Sequence, residues 1–253
     1  MPALIPGNAG VPPALIPLWN TAMNDGVRTG EESQASPPLR LPKAWHRRGY
    51  LPHFDQINLI QSITFRTFDA VPADVIERWK DELQLGEKSE AQRKRAGETP
   101  ALQASLIKLR KRIAEYEDAG HGNAWLRTPK IAGLIENALR HFDQERYRLM
   151  AWCIMPNHVH VLLETKEGWP VSNVLHAWKS YTSKEANKLL GRSGSFWMND
   201  YHDRVVRDEK HFRATVEYIE HNPVKAGLCV RPEDWPFSSA CTRFAGETPA
   251  FPA

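Results

Sequence analysis

Two histidines, a tyrosine and an asparagine are the residues whose spacing in this chain could do chemistry. His158 and His160 flank a single valine. In a strand, residues two apart project from the same face, about 7 Å apart along the chain, so two such imidazoles can share one divalent metal. They follow Met155-Pro156-Asn157, a turn that sets them at the start of the strand. Tyr218 and Asn222 lie four apart, on one face of a helix. There the phenol could serve as a nucleophile and the amide as a third metal ligand. Taken singly, each residue also has a plainer reading. The histidines could be core residues with buried partners, Tyr218 a core aromatic beside Val216 and Ile219, and Asn222 the end of a helix before Pro223. Tyr181, after Trp178-Lys179-Ser180, is a rival nucleophile; a helix-face aromatic or a DNA contact is its alternative.

Several elements must position these residues. A β-rich run, Ile57, Leu59, Ile60, Ile63 and Phe65, predicts a first strand, and Pro72 opens a helix to about Leu85. Residues 86–105 are charged and then rich in Ala, Gly and Pro, so they interrupt the pattern. A helix over Leu106 to Tyr116 follows, ended by Asp118-Ala119-Gly120-His121-Gly122, and another opens after Thr128-Pro129. Two strands, 147–154 and 158–165, meet across the Met-Pro-Asn turn. Helices over about 171–190 and 208–221 come next, the second stopped by Asn222-Pro223. Strands joined by a tight turn must pair antiparallel, which makes the chain an α+β layer fold.

Composition narrows the function class. No apolar stretch reaches the roughly 20 residues a membrane helix needs, so no membrane partner is expected. The first 17 residues have no basic start and are broken by prolines, unlike a signal peptide. Three scattered cysteines give neither a disulfide framework nor a zinc site and fit a reducing cytoplasm. Net charge is only +3, but the basic residues are clustered, one cluster running from Arg204 to Arg213. Basic clusters among nine tryptophans suit a polyanion with stacked bases, but on composition alone solvated helix faces around a core are the favoured reading.

Met155-Pro156-Asn157-His158-Val159-His160-Val161-Leu162 resembles the HUH signature of single-tyrosine transposases. Tyr218-Ile219-Glu220-His221-Asn222-Pro223-Val224-Lys225-Ala226-Gly227 resembles their tyrosine helix. With Trp178-Lys179-Ser180, Asp203-Arg204 and Trp235-Pro236-Phe237-Ser238-Ser239 in the same order, residues 48–241 resemble the REP-associated tyrosine transposases, which act on short palindromic DNA repeats. The resemblance implies a ferredoxin-like antiparallel sheet with helices packed on it. It places the histidines on a central strand and the tyrosine on a nearby helix. It implies Mg²⁺ or Mn²⁺ held by His158, His160 and Asn222, with Tyr218 as nucleophile forming a 5′-phosphotyrosine. The partner would be single-stranded hairpin DNA, and the chain a monomer or dimer. Arg204, Arg207, Lys210, Arg213 and Lys179 are assigned to DNA contacts. Residues 1–47 are expected as an irregular leader, about 87–105 as an insertion, and 242–253 as a low-complexity tail.

Two other functions fit the same residues. One is a catalytically idle DNA-binding protein of the same fold, which would bind without a covalent adduct. The other is a metal-dependent hydrolase using water, which would leave no protein-linked strand. A short repeat stands apart from the motifs. Ala-Gly-Glu-Thr-Pro-Ala occurs at 96–101 and 245–250, and Ala-Gly-Val-Pro-Pro-Ala at 9–14. The codons GCG GGC GAG ACG CCC GCG would encode the first pair, and their arms GCGGGCG and CGCCCGC pair as a hairpin around AGA. We therefore expect palindromic DNA to have inserted in frame into this gene. Codons at these places that cannot pair would refute it.

Overall fold

The computed structural model describes residues 45–47, 52–54, 59–85, 100–242 and 251, all within the compact unit Arg40–Ala253. Two short strands, β1 (Trp45–Arg47) and β2 (Pro52–Phe54), pair antiparallel. The main sheet has four strands: β3 (Ile60–Arg66), β4 (Tyr147–Ile154), β5 (His158–Thr165) and β6 (His202–Val205). Their order across the sheet is β4-β5-β3-β6, and every neighbour is antiparallel.

Among the described residues, three helices lie between β3 and β4: α1 (Ala73–Glu82), α2 (Pro100–Asp118) and α3 (Pro129–His141). One, α4 (Val171–Leu189), connects β5 to β6. Taking α3 and α4 as the crossovers, the chain reads β-α-β-β-α-β with its first and third sheet strands central, the ferredoxin-like order. The expected α+β class therefore holds. Beyond this pattern lie α1, α2, α5 (Glu209–Lys225) and α6 (Ser239–Thr242).

Side-chain alternation divides the sheet into two faces. Val159, Val161 and Leu163 of β5, with Ile63 and Phe65 of β3, pack against Ile131, Ile135 and Leu139 of α3 and Val174, Leu175 and Trp178 of α4. The stripe on α3 has helical spacing, and Pro129 starts that helix where a missing N–H costs nothing. On the other face Leu162 and Ile60 meet Phe212, Val216 and Ile219 of α5. A third cluster joins Val75 and Ile76 of α1 to Leu106, Leu109 and Ile113 of α2.

The structure corrects three sequence expectations. The fourth strand, β6, falls between the helices predicted over about 171–190 and 208–221, where the sequence predicts no strand. It is four residues long, carries Asp203 and Arg204, and among the described residues pairs only with β3, as a short polar edge strand does. Pro223 does not stop α5, which continues to Lys225. A proline so near a helix end removes a single donor, and the carbonyls of Asn222 and Pro223 still accept from Ala226 and Leu228, at 3.0 and 2.8 Å. Finally, α2 starts at Pro100, so residues 100–105, expected within the insertion, are helical, and Leu102 packs against the third cluster. Pro fits a first turn, and Ala101, Leu102, Gln103 and Ala104 are ready helix formers.

Residues 1–44, 86–99 and 243–250 lie outside the described residues, and with them nearly all of the expected leader, most of the insertion and most of the tail. Two of the repeated hexapeptides fall there entirely, and the third does so except for Pro100 and Ala101. Among the described residues, no helix is long and apolar enough to cross a membrane.

Candidate active site

The chemistry-bearing residues gather on the sheet face covered by α5. β5 is central and buried on both sides, so its even positions also point inward. Two of them are histidines. Cross-strand register pairs His160 with Thr64 and His158 with Arg66.

The histidine rings are held by hydrogen bonds that leave their Nε2 atoms facing each other. Asn157 Nδ2 donates to the His121 carbonyl at 2.8 Å, so its Oδ1 accepts from His158 Nδ1–H at 2.7 Å. His160 Nδ1 meets the Thr64 hydroxyl at 2.9 Å. With both Nδ1 atoms so engaged, the Nε2 atoms stand 2.9 Å apart. In the tautomer with Nδ1–H on both rings, two Nε2 lone pairs face each other, and a shared cation satisfies both. Burial holds His158 well below the ordinary imidazole range, with His160 adding to the effect. Burial, then His202 and Lys225, lower His160 to about 3. Both rings are therefore neutral, the form that binds metal.

Further donors converge on the same place. Asn222 lies 2.9 Å from His160 Nε2 through its amide nitrogen, while its Oδ1 is buried with no hydrogen-bond partner. Turning the amide would bring that oxygen to the histidines. Asp118, the last residue of α2, places Oδ1 3.6 Å from His158 Nε2. One ligand atom each from Asp118, His158 and His160 fall within 4.8 Å of one another. Two imidazoles, a carboxylate and an amide oxygen fit a hard or borderline divalent ion.

Asp118 has no sequence signal beyond its place in a helix stop, forty positions before His158. An ion pair fixes its helix: Arg66 donates to Glu117 at 2.9 Å with both side chains buried. Burial raises the carboxyls of both Glu117 and Asp118; Arg66 opposes the first shift and Lys225 the second.

Tyr218 stands on α5 one turn before Asn222, its ring 5.5 Å from that of His160 at 77°. It is 37 % exposed, enough for a strand to reach it. Burial raises its phenol above the ordinary value and Asp118 adds to this, while the hydrogen bond with Asn222 acts in the opposite direction. Lys225, two turns along α5, places its ammonium over the Tyr218 ring at 4.8 Å. Tyr181 is elsewhere, on α4, packed against the core of the opposite face.

The residues expected to contact DNA have different surroundings. Arg204 on β6 and Arg207, Lys210 and Arg213 around the start of α5 are exposed, and Arg213 pairs with Glu209 at 2.6 Å. Burial, then Arg204 and Arg207, push His211 below its usual value. Lys179 instead donates to the carbonyls of Met198, Asn199 and Asp200 at 2.9, 3.2 and 3.3 Å. It ties α4 to the loop before β6. Trp178 is a core residue, its indole N–H donating to the Tyr147 hydroxyl at 3.1 Å.

The Trp-Pro-Phe-Ser-Ser segment covers the outer edge of β4. Ile154 N–H donates to the Phe237 carbonyl at 2.9 Å, and the Trp235 indole to the Ile154 carbonyl at 3.0 Å. Ser239 accepts from Trp152 N–H at 3.1 Å and donates to Glu220 of α5 at 2.6 Å.

Comparison with known proteins defines the class first: residues 124–222 match the family described as "Transposase IS200 like", so this part of the chain is similar to the IS200-like transposases. The particular resemblance is to the REP-associated tyrosine transposases, as the motifs indicated. The Escherichia coli REP-associated tyrosine transposase is 27% identical over 107 residues, 42% of this chain and 62% of the relative. A relative assigned to the same group in Haemophilus influenzae is 27% identical over 103 residues, 37% of this chain and 58% of its own. The chain thus aligns with about three-fifths of the length of each. A solved structure of a REP-associated tyrosine transposase bound to a REP hairpin is 18% identical. The match covers 79% of this chain and 92% of that one, with a TM-score of 0.47. It is the strand order, not that superposition, that defines the fold.

Proposed function

We propose that this chain is a metal-dependent DNA transposase that cuts and rejoins single-stranded DNA at palindromic hairpins through Tyr218. The observation that carries this reading is the convergence of Tyr218 and Asn222, one turn apart on α5, upon the facing Nε2 atoms of His158 and His160. His158, His160 and Asn222 would hold Mg²⁺ or Mn²⁺, with Asp118 offering a carboxylate to the same ion. Such an ion, when bound, polarises a phosphodiester oxygen and offsets its charge.

The chain's own residues account for the rest. The Tyr218 oxygen attacks phosphorus, forming an O–P bond while the bond from phosphorus to the 3′ oxygen breaks. The phenol gives up its proton and the departing 3′ oxygen takes one up. The products are a 5′-phosphotyrosine and a 3′-hydroxyl. One phosphodiester replaces another, so no ATP is consumed, and a 3′-hydroxyl can reverse the step to join new ends. Arg204, Arg207, Lys210 and Arg213 contact phosphates, while Lys179 contributes by fixing the loop before β6. Palindromic hairpin DNA as the partner rests on the family resemblance of the motifs.

The test is incubation with single-stranded hairpin DNA and Mn²⁺, read on a denaturing gel for DNA linked to protein. A covalent complex formed by the wild type and lost in Tyr218→Phe supports the reading. Binding without a complex would mean an idle binder, and cleavage without one a hydrolase.

A further inference from the structure

Beside the histidine pair, a cavity of about 390 Å³ opens over β3 and β6, between α2 and α5. His160 and Tyr218 are part of its wall, so whatever fills it lies against the reacting groups. The volume falls within the range of about 300–1,000 Å³ for sites that enclose a small molecule.

Its walls have a definite character. Each helix offers one face to it: Ile113, Ala114 and Glu117 from α2, and Ala214, Thr215 and Tyr218 from α5. Each face carries an alanine, Ala114 on α2 and Ala214 on α5, and so small a side chain on both leaves a slot between the helices. Two acids line the wall, Glu117 and Asp200, and Glu117 is ion-paired to Arg66. Arg110 and Arg204 also line the cavity. A polyanion can therefore approach it while a flat, uncharged group enters.

Resting on the function proposed above, we infer that this cavity receives one nucleobase of the DNA, turned out of its strand beside the scissile phosphate, and so fixes where the strand is cut. Turning out a base costs least in single-stranded DNA, where no partner base is lost. The base occupies the slot between Ala114 and Ala214, its phosphate lying toward Tyr218.

Filling the slot and removing the base test this together. Ala214 is exposed and Ala114 half-buried, so a larger side chain at either has room to be accommodated. The substrate is the hairpin oligonucleotide cleaved in the covalent assay, intact or with an abasic site at each nucleotide flanking the cut in turn. For the wild type, an abasic site at one flanking position slows complex formation about tenfold or more, the loss of one held base. Ala214→Trp slows cleavage of intact DNA by a similar factor, but is no slower than the wild type on the abasic substrate. Ala114→Trp behaves the same way, and Mn²⁺ titration shows both variants keep the metal site and hence the fold. Equal wild-type rates on intact and abasic DNA overturn the inference, as do filled variants that cleave intact DNA at the wild-type rate. In those cases the covalent complex still forms and the functional reading stands. No wild-type complex at all overturns both.

Discussion

The two faces of the sheet share the same strands yet do different work. Val159, Val161 and Leu163 of β5 enter an apolar core under α3 and α4, while His158 and His160, between and before them, enter a polar site under α5. The first face is stabilised by area removed from water and tolerates change according to volume. The second face holds neutral imidazoles against one another and offers a carboxylate and an amide beside them. Alternation along one strand thus couples a rigid floor to a reactive surface.

The sharpest way to break the comparison is to remove one tyrosine hydroxyl from each face. We expect Tyr218→Phe to reduce the covalent complex to background with melting temperature nearly unchanged. Tyr181→Phe, on the other face, should retain most activity; the reverse pattern on a denaturing gel would exchange their roles. The next largest effect should come from the histidines: His160→Ala should abolish calorimetric Mn²⁺ binding, and unchanged affinity would remove it from the ligands. Leu163→Ala should do the opposite, costing about 2–5 kcal/mol of stability in denaturant titration while folded molecules bind Mn²⁺ as before. Thr64→Val keeps shape but removes the hydroxyl hydrogen-bonded to His160 Nδ1, and should weaken Mn²⁺ binding about 10–100-fold.

Acid should give the smallest and most graded effect. His160 titrates at about 3 in the folded chain, below the ordinary 6.5. Between those values the unfolded chain takes up more protons, so metal-free protein should lose stability as pH falls from 6.5. Melting temperatures recorded across that window should decline, and more gently in His160→Gln. A flat profile would mean that the ring is not held neutral by burial.

Much of this was legible in the sequence, because β4, β5, α3 and α4 carry strong periods and the histidine motif lies on β5. What escaped had weak or remote signals. β6 has only four residues and, as an edge strand, needs no apolar alternation. Asp118 reaches the histidines only because Arg66 and Glu117 dock α2, and pairing across fifty-one positions leaves no local pattern. Pro223 was read by its local habit of ending helices. Yet the continued helix is what gives Lys225, as well as Asn222, a place on the Tyr218 side. The Trp-Pro-Phe-Ser-Ser motif was visible as a motif, but its position along the β4 edge was not.

That edge-covering segment also has a mechanical consequence. If Tyr218 becomes tethered to a DNA strand, any tension on the strand is applied to α5. The helix is capped at its start by the Asp208 carboxylate accepting from His211 N–H at 2.7 Å, and is tied to its neighbour toward its end by Glu220 accepting from Ser239. Ser239 in turn grips the backbone of β4. A pull on the tyrosine is therefore passed sideways into the sheet, and the nucleophile can be loaded without being drawn away from the histidines.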